Sequence, residues 1–153
     1  MKKVLMVCLG NICRSPLAEG ILKSKVDSNK VFVDSAGTAA YHLGELPDPR
    51  SIEVARKYQI DISDQRARKF TEKDFAKFDW IYAMDQHNYQ NIISLAKNKM
   101  EAKKVKLILN EVHLQQNLNV PDPYYGGEDG FEKVFKMLDE SCDIIAKKLE
   151  NER

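Results

Sequence analysis

Short apolar runs alternate along this chain with longer stretches of helical periodicity, and this alternation constrains the fold more than any other feature. Runs of a strand's length occupy 2–7, 31–34, 80–84 and 105–109. Helical stretches follow residue 15 and occupy about 50–58, 85–96 and 131–149, and a further helix is predicted to start at Thr71. Strands that alternate with helices pair in parallel and bury both faces. The pattern therefore predicts an α/β fold, a doubly wound parallel sheet with helices on both faces.

Length and charge balance limit the number of domains and the kinds of partner. A chain of 153 residues fits a single domain spanning 1–153, which can bury about two thirds of the surface that its unfolded form exposes. Hydrophobic residues make up 43% of the chain and charged residues 31%, with 24 basic against 23 acidic side chains. This balance predicts no disorder, no nucleic-acid surface and no membrane span.

The N-terminal sequence and the cysteine count indicate a compartment. The apolar run in MKKVLMVCLGN stops at Gly10 and lacks both the length and the cleavage site of a signal peptide, so we expect the first strand of a cytoplasmic protein. Three cysteines are too few for a disulfide scaffold. They indicate a reducing compartment, where thiols are kept for chemistry or for packing.

The segment VCLGNICRSP at 7–16 predicts an anion-binding loop between the first strand and the first helix. Gly10 and Asn11 can both adopt the positive φ that a tight loop requires. Ser15 is predicted to cap the helix, with Pro16 as its first helical residue, although Ser15 could instead donate a hydrogen bond to a thiolate. In a doubly wound fold this loop lies at the carboxyl edge of the sheet, where backbone N–H groups and a helix N-terminus bind anions.

Cys8 and Arg14 form a C-x5-R spacing whose chemistry suits a phosphoryl group. The guanidinium is a planar, permanently charged fork for two oxygens. A helix N-terminus and a neighbouring arginine favour the nucleophilic thiolate of Cys8, whereas a buried, inert cysteine is the structural alternative. A zinc site is disfavoured because Cys8 and Cys13 have no second pair of ligands nearby, and the chain has no G-x4-G-K-[ST] nucleotide loop.

A second segment, VPDPYYGG at 120–127, supplies a candidate general acid. Asp122 lies between Pro121 and Pro123, which restrict its backbone to an extended conformation and stiffen the segment. A thiolate that attacks phosphorus requires an acid to protonate the leaving oxygen. Read alone, the segment is equally compatible with an Asp-Pro turn followed by two packing or surface tyrosines.

Taken together, VCLGNICRSP and the later DPYY closely resemble the low-molecular-weight protein tyrosine phosphatases, and the resemblance covers the whole chain. DSAGT at 34–38, LPDPR at 46–50 and FTEKDFAKFDWIYAMD at 70–85 are also similar to family segments, in the family's order. The resemblance implies a four-stranded parallel sheet and a phosphomonoesterase that needs neither a metal nor another cofactor. It further implies that Cys8 is the nucleophile that forms a phosphocysteine, that Arg14 binds the phosphoryl group, and that Asp122 acts first as acid and then as base. The residues that it assigns to the phosphate loop and its support are Leu9, Gly10, Asn11, Ile12, Cys13, Ser15 and Ser35.

The resemblance also implies how the substrate is chosen. A phosphotyrosine ring is held between two walls, for which Tyr124 and Tyr41 are the candidates, with Tyr125 and His42 as neighbours that could replace them. A deep cradle between such walls favours aryl over alkyl phosphates. Relatives that cleave phosphoarginine carry threonine after the Gly-Asn pair, and the isoleucine at position 12 therefore favours phosphotyrosine proteins as substrates.

Alternatives within and outside the family are a protein-arginine phosphatase, an arsenate reductase and an inactive phosphotyrosine-binding module. The chain has no cysteine between Cys13 and Cys142, where an arsenate reductase needs more. A module that only binds would need neither Cys8 nor Asp122. We expect a monomer in which Cys142 packs in the core, and the family resemblance allows Cys13 to form a protective disulfide with Cys8.

Overall fold

Four parallel strands form the centre of the protein. The computed structural model describes residues 1–39, 41–123, 127 and 129–151. The strands are β1 (Lys2–Cys8), β2 (Val31–Gly37), β3 (Trp80–Ala83) and β4 (Val105–Leu107), in the spatial order β2-β1-β3-β4. Every neighbouring pair is parallel, which confirms the predicted four-stranded α/β sheet.

Helices connect the strands and cover the sheet on both faces. They are α1 (Arg14–Lys25), α2 (Pro49–Lys57), α3 (Lys73–Lys77), α4 (Gln86–Ile93), α5 (Lys99–Lys103) and α6 (Gly130–Asn151), and a 3₁₀ turn (Ile108–Glu111) follows β4. No helix in the described part of the chain is long and apolar enough to cross a membrane.

The side chains of β1 divide the interior into two hydrophobic cores. Val4 and Met6 point into one core, which is built with α1, α2 and α6, whereas Leu5 and Val7 point into the other, which includes residues of α3 and α4. This alternation is what a strand buried on both faces produces. The apolar stripe predicted on the last helix is confirmed, because all of its residues are buried, namely Phe131, Val134, Phe135, Leu138, Cys142, Ile145 and Leu149.

Element boundaries differ from the predicted ones where side chains make tertiary contacts. Helix α1 begins at Arg14, with Cys13 and not Ser15 as its N-cap, so Pro16 is its third residue. The Ser15 hydroxyl is not available for capping because it bonds to other side chains, described below. Strand β2 runs on to Gly37, since its last residues pair with the end of β1.

The segment after β3 also differs from the single helix predicted there. Helix α4 ends at Ile93, and the short helix α5 follows it, capped by the Asn98 side chain, which accepts a hydrogen bond from the Glu101 N–H. The predicted helix ended at about residue 96, three residues beyond the end of α4, and α5 was not predicted, because five residues are too few to show a helical periodicity.

The strand order determines where a ligand can bind. The chain continues from β1 to β2 at one edge of the sheet and from β3 to β4 at the opposite edge. The carboxyl ends of β1 and β3 therefore lie side by side at a topological switch point. The loop after β1 and the start of α4 after β3 meet there.

Candidate active site

The loop of residues 8–14, here called the cradle loop, is held against the end of β2. Cys8 is the last residue of β1 and is 3% exposed. The backbone oxygens of Cys8 and Leu9 accept hydrogen bonds from the N–H groups of Thr38 and Ala39, both at 2.9 Å. A Cβ on Gly37 would lie 2.7 Å from the Leu9 oxygen, so only glycine lets the loop approach this closely.

A pocket of about 90 Å³ opens above the cradle loop. Most of the predicted site residues line it: Cys8, Leu9, Gly10, Ile12, Cys13, Arg14, Tyr41, His42 and Asp122. Segments that are more than a hundred residues apart in sequence therefore meet around the sulfur of Cys8. The N-terminus of α1 also faces this pocket, because its first residue, Arg14, and its N-cap, Cys13, are both lining residues.

Asn11 locks the loop from behind. Its φ is 58°, the left-handed region that asparagine tolerates, and its side chain is 2% exposed. The amide Nδ2 donates to Ser15 Oγ at 2.8 Å and to Ser35 Oγ at 2.9 Å, and Oδ1 accepts from the Arg68 N–H at 3.0 Å. All of its side-chain hydrogen-bonding groups are used, and they tie the loop to α1, to β2 and to the backbone at Arg68.

The hydroxyl of Ser15 lies 3.0 Å from the sulfur of Cys8. Because Asn11 donates to the Ser15 oxygen, the single hydroxyl proton of Ser15 is available for donation to a different acceptor. Its two acceptors are the Cys8 sulfur and the Ala36 carbonyl oxygen, which is farther away at 3.5 Å. The arrangement suits donation to sulfur, the alternative role considered for this serine.

The hydrogen bonds that link Cys8, Ser15, Asn11 and Ser35 end at Glu19. This glutamate was not anticipated from the sequence. Ser35 donates to Glu19 Oε1 at 2.6 Å, and Lys23 donates to Oε2 at 2.5 Å. The carboxyl is 3% exposed, and burial raises its pKa, although hydrogen bonds from Lys23 and Ser35 oppose the rise. The signal in the sequence was an acid among the apolar residues of a helix's buried face.

Asp85 is a second residue that the sequence reasoning missed. Arg14 is 6% exposed, and its Nη1 donates to Asp85 Oδ2 at 2.8 Å and to the Val120 carbonyl oxygen at 2.9 Å. Asp85 lies two residues after the end of β3 and caps α4, with Oδ1 accepting from the Asn88 N–H at 2.7 Å. An acid at the carboxyl end of a central strand could have been recognised as a neighbour of the loop after β1, since both lie at the same edge.

Two of the predicted ring-wall residues lie beside the pocket. Tyr41 is 76% exposed, and His42 is held by a 2.5 Å contact between its Nδ1 and Glu45 Oε2. A Cβ on Gly10 would lie 3.0 Å from the His42 ring. Gly10 does not have the positive φ predicted for it, which among the described glycines occurs at Gly44 and Gly127. Tyr124 and Tyr125 lie outside the described residues.

All three cysteines are buried thiols. Cys13 is 6% exposed and lines the pocket with Cys8. Cys142 is fully buried on α6, as predicted, and desolvation raises its pKa. Cys142 is therefore a packing residue, and the two remaining thiols belong to the pocket.

The sequence of this chain matches known proteins over nearly its whole length. The sequence matches the family model described as low molecular weight phosphotyrosine protein phosphatase over residues 3–153. The chain belongs to this phosphatase family. The phosphatase is 39% identical over 169 residues to a Dictyostelium discoideum protein named low molecular weight phosphotyrosine protein phosphatase, with 98% of this chain and 94% of the relative covered.

Solved structures agree with the assignment to this family. A crystal structure of a protein tyrosine phosphatase from Entamoeba histolytica matches the phosphatase with a TM-score of 0.91 and 37% identity, covering 99% of this chain and 98% of the other. A Drosophila arginine phosphatase matches with a TM-score of 0.86 and 30% identity, covering 97% of each chain. The resemblance seen in the sequence is confirmed, and the chain is an enzyme of this phosphatase family. Because the relatives include an arginine phosphatase, membership alone does not choose between phosphorylated residues.

Proposed function

We propose that this enzyme hydrolyses phosphotyrosine in proteins through a phosphocysteine intermediate. In the first step the Cys8 thiolate attacks phosphorus, an S–P bond forms and the bond to the tyrosyl oxygen breaks as Asp122 donates a proton to that oxygen. In the second step the Asp122 carboxylate takes a proton from water, the water oxygen attacks phosphorus, and the S–P bond breaks to release phosphate and the thiolate. The observation that carries the proposal is that Cys8, Arg14 and Asp122 line one small pocket.

The surroundings of Cys8 support its role as the nucleophile. The Ser15 hydroxyl is positioned to donate to the sulfur, and the N-terminus of α1 faces the same pocket. A hydrogen bond and a positive helix end both favour a thiolate over a thiol. They also favour the thiolate as a leaving group when the S–P bond breaks.

The contacts of Arg14 support its role in binding the phosphoryl group. Nη1 carries two hydrogens, and both are used, by Asp85 and by the Val120 oxygen. Within the described part of the chain, neither Nε nor Nη2 has a hydrogen-bond acceptor. These two nitrogens form the side of the guanidinium fork that can bind two phosphoryl oxygens at once.

The pocket wall supports an aryl substrate. The exposed Tyr41 ring and the His42 ring border the cradle, and Ile12 in the lining offers an apolar contact where a polar group would suit a guanidinium-bearing substrate. We infer a preference for phosphotyrosine over phosphoserine, whose shorter side chain would not bring its phosphate down to Cys8. Phosphoarginine is the second candidate, because an arginine phosphatase is among the solved relatives.

A side-by-side assay tests the proposal. We expect vanadate-sensitive phosphate release from a phosphotyrosine peptide at rates at least tenfold above those from phosphoarginine and phosphoserine peptides of the same sequence, and no thiol-dependent reduction of arsenate. Cys8→Ser should abolish release while the variant still binds the phosphotyrosine peptide. Acid quenching of the wild type during turnover should trap one phosphoryl group on Cys8, detected by peptide mass mapping.

Each other result has a definite meaning. Faster release from the phosphoarginine peptide would make phosphoarginine the substrate and leave the phosphocysteine mechanism unchanged. Undiminished release by Cys8→Ser, or a trapped phosphoryl group on another residue, would contradict the proposed nucleophile. Binding without turnover by the wild type would indicate a phosphotyrosine-binding module.

A further inference from the structure

The segment that carries Asp122 is attached to the sheet by its backbone. We call residues 117–122 the acid arm. The side chain of Val120 is 1% exposed in the core. Its N–H donates to the Met84 carbonyl oxygen at 2.8 Å, and its own carbonyl oxygen accepts the bond from Arg14 at 2.9 Å. Both contacts hold the middle of the arm over the carboxyl ends of β1 and β3.

A second set of contacts holds the start of the acid arm to the first residue of α4, Gln86. The Gln86 N–H donates to Asn119 Oδ1 at 2.8 Å, and its side-chain Nε2 donates to the Asn117 carbonyl oxygen at 2.7 Å. One residue of α4 thus binds two residues of the arm. The Gln86 N–H is one of the helix-end donors that have no partner within the helix, so the Asn119 side chain acts as an additional cap from a distant loop.

A pair of reciprocal bonds fixes the residue where the arm begins. The Asn117 N–H donates to Asn110 Oδ1 at 2.9 Å, and Asn110 Nδ2 donates to Asn117 Oδ1 at 3.1 Å. Asn117 has a φ of 56°, so the chain turns sharply there and the bonds define the direction in which it continues. From Asn119 to Asp122 the chain has only three steps, and two of the flanking residues, Pro121 and Pro123, remove backbone freedom.

We propose that Gln86 and Asn119 are positioning residues that set the location of the Asp122 carboxyl relative to the Cys8 sulfur. This inference rests on the proposed function, in which Asp122 is the acid. The residue before Gln86 is Asp85, which holds Arg14. The start of α4 therefore positions the phosphoryl-binding arginine through one residue and the proton donor through the next.

The exposure of these side chains separates positioning from stability. Gln86, Asn117 and Asn119 are exposed, and their hydrogen bonds form at the surface. When one of these bonds is lost, water takes the place of the missing partner, so the stability of the fold changes little. Proton transfer is more sensitive, because a displacement of about 1 Å can cost on the order of a hundredfold in rate. Truncation of these side chains should therefore affect acid catalysis more than folding.

The experiment compares two substrates that differ only in the leaving group. Phenyl phosphate has a poor leaving group that needs the acid, and p-nitrophenyl phosphate has a better one that needs it less. The value of kcat/KM reports the reaction up to departure of the leaving group, so the ratio of kcat/KM for the nitrophenyl substrate to that for the phenyl substrate measures acid catalysis. Asp122→Ala gives the ratio when the acid is lost entirely.

We expect Asn119→Ala and Gln86→Ala each to raise this ratio by roughly three- to tenfold, toward the value of Asp122→Ala, with melting temperatures close to that of the wild type. Asn119→Asp keeps an oxygen acceptor for the Gln86 N–H and should restore the wild-type ratio. Gln90→Ala is the matched control, since Gln90 is an exposed glutamine one turn further along the same helix. Its ratio should equal that of the wild type.

The outcomes distinguish failure of the inference from failure of the proposed function. If Asp122→Ala leaves the ratio unchanged, Asp122 is not the acid and the proposed function loses that step. If Asp122→Ala raises the ratio but Asn119→Ala and Gln86→Ala behave like Gln90→Ala, the positioning role is wrong and the acid assignment stands. Equal losses for both substrates, accompanied by a lower melting temperature, would likewise overturn positioning, because they indicate a purely structural contact.

Discussion

At the scale of single residues, the site depends on side chains whose hydrogen-bonding groups are all in use. Asn11 bonds through both of its donors and its acceptor, and this leaves the Ser15 proton for the sulfur of Cys8. Asp85 divides its two oxygens between Arg14 and the N-terminus of α4. A residue with two such roles can be tested by a substitution that removes one of them.

Asp85→Asn should weaken phosphoryl binding while it keeps the helix cap. Asparagine caps helices about as well as aspartate, so the melting temperature should change little. The charge that holds Arg14 is lost, and we expect the inhibition constant of inorganic phosphate to rise and kcat/KM to fall by roughly tenfold, since a charge-assisted bond is about twice as strong as a neutral one. Asp85→Ala loses the cap as well and should be less stable by about 1 kcal/mol. Unchanged phosphate inhibition in Asp85→Asn would show that Arg14 does not depend on this charge.

The thiols that line the pocket predict a redox response. Cys8 and Cys13 are both buried and border the same cavity, and Cys142 lies in the core. We expect hydrogen peroxide to inactivate the enzyme reversibly, with a Cys8–Cys13 disulfide found by mass mapping and activity restored by dithiothreitol. In Cys13→Ala the same treatment should oxidise Cys8 beyond recovery. Full recovery of Cys13→Ala by dithiothreitol would contradict the protective pairing.

At the scale of elements, the cradle loop takes its shape from the strand beside it. The loop packs against Gly37, the last residue of β2, and the next two residues, Thr38 and Ala39, donate their N–H groups to it. Helix α2 contributes from the other side, where the Asp48 N–H donates to the Ile12 oxygen at 2.7 Å. The loop is therefore held between β2 and the start of α2.

Gly37→Ala tests this support. The added Cβ would approach the Leu9 backbone oxygen to 2.7 Å, and a backbone neighbour cannot rotate away as a side chain can. We expect the loop to shift, with a loss of about 1–3 kcal/mol in stability and a decrease in kcat/KM of tenfold or more. Gly20→Ala is the control, because its Cβ would meet the Ile62 side chain at 2.4 Å, within the core and away from the pocket. It should lower the melting temperature without a comparable loss of activity, and equal activity losses would argue against a specific role for Gly37.

The elements also show how far the sequence alone leads. Strand runs and helical periodicity predicted the parallel sheet, and the two motifs together predicted that Asp122 acts with the C-x5-R loop. Asp85 and Glu19 had sequence signals, an acid at the end of a central strand and an acid on a buried helix face, but no short motif includes them. Gln86 had no such signal, because its partners lie more than thirty residues away and one of them is a backbone carbonyl. The start of α1 was misplaced for a related reason, since the Ser15 oxygen bonds across the site and not to its own helix.

At the scale of the whole molecule, a buried carboxyl links the site to stability. Glu19 belongs to α1, and its carboxyl, which accepts from Ser35 of β2, is 3% exposed, so burial raises its pKa above the ordinary value. The folded state therefore keeps a proton on Glu19 at pH values where the unfolded chain has lost it. By linkage, the contribution of Glu19 to stability is fully present below the unfolded pKa and decreases as the pH rises through the folded pKa.

Glu19→Gln should remove this pH dependence. We expect the free energy of unfolding of the wild type, relative to that of the variant, to fall as the pH rises from about 4.3, the ordinary pKa of glutamate, through the raised pKa of the folded state. Urea unfolding of both proteins across this range measures the difference. Glu53→Gln, at an exposed position of α2, should track the wild type at every pH. A difference between the wild type and Glu19→Gln that does not change with pH would contradict the raised pKa.

Val120 contributes to the site through its peptide groups, and this has an evolutionary consequence. Its N–H binds the Met84 oxygen, its carbonyl oxygen binds Arg14, and its side chain only fills space in the core. Any apolar residue of similar volume would serve, so divergence at this position reveals nothing about catalysis. The number of residues between Asn117 and Asp122 is a different matter, because one insertion or deletion would move the carbonyl oxygen away from the arginine and the carboxyl away from the sulfur together. At position 120 the constraint is therefore on chain length and side-chain volume, whereas Asn117, Asn119 and Asp122 contribute through their side chains.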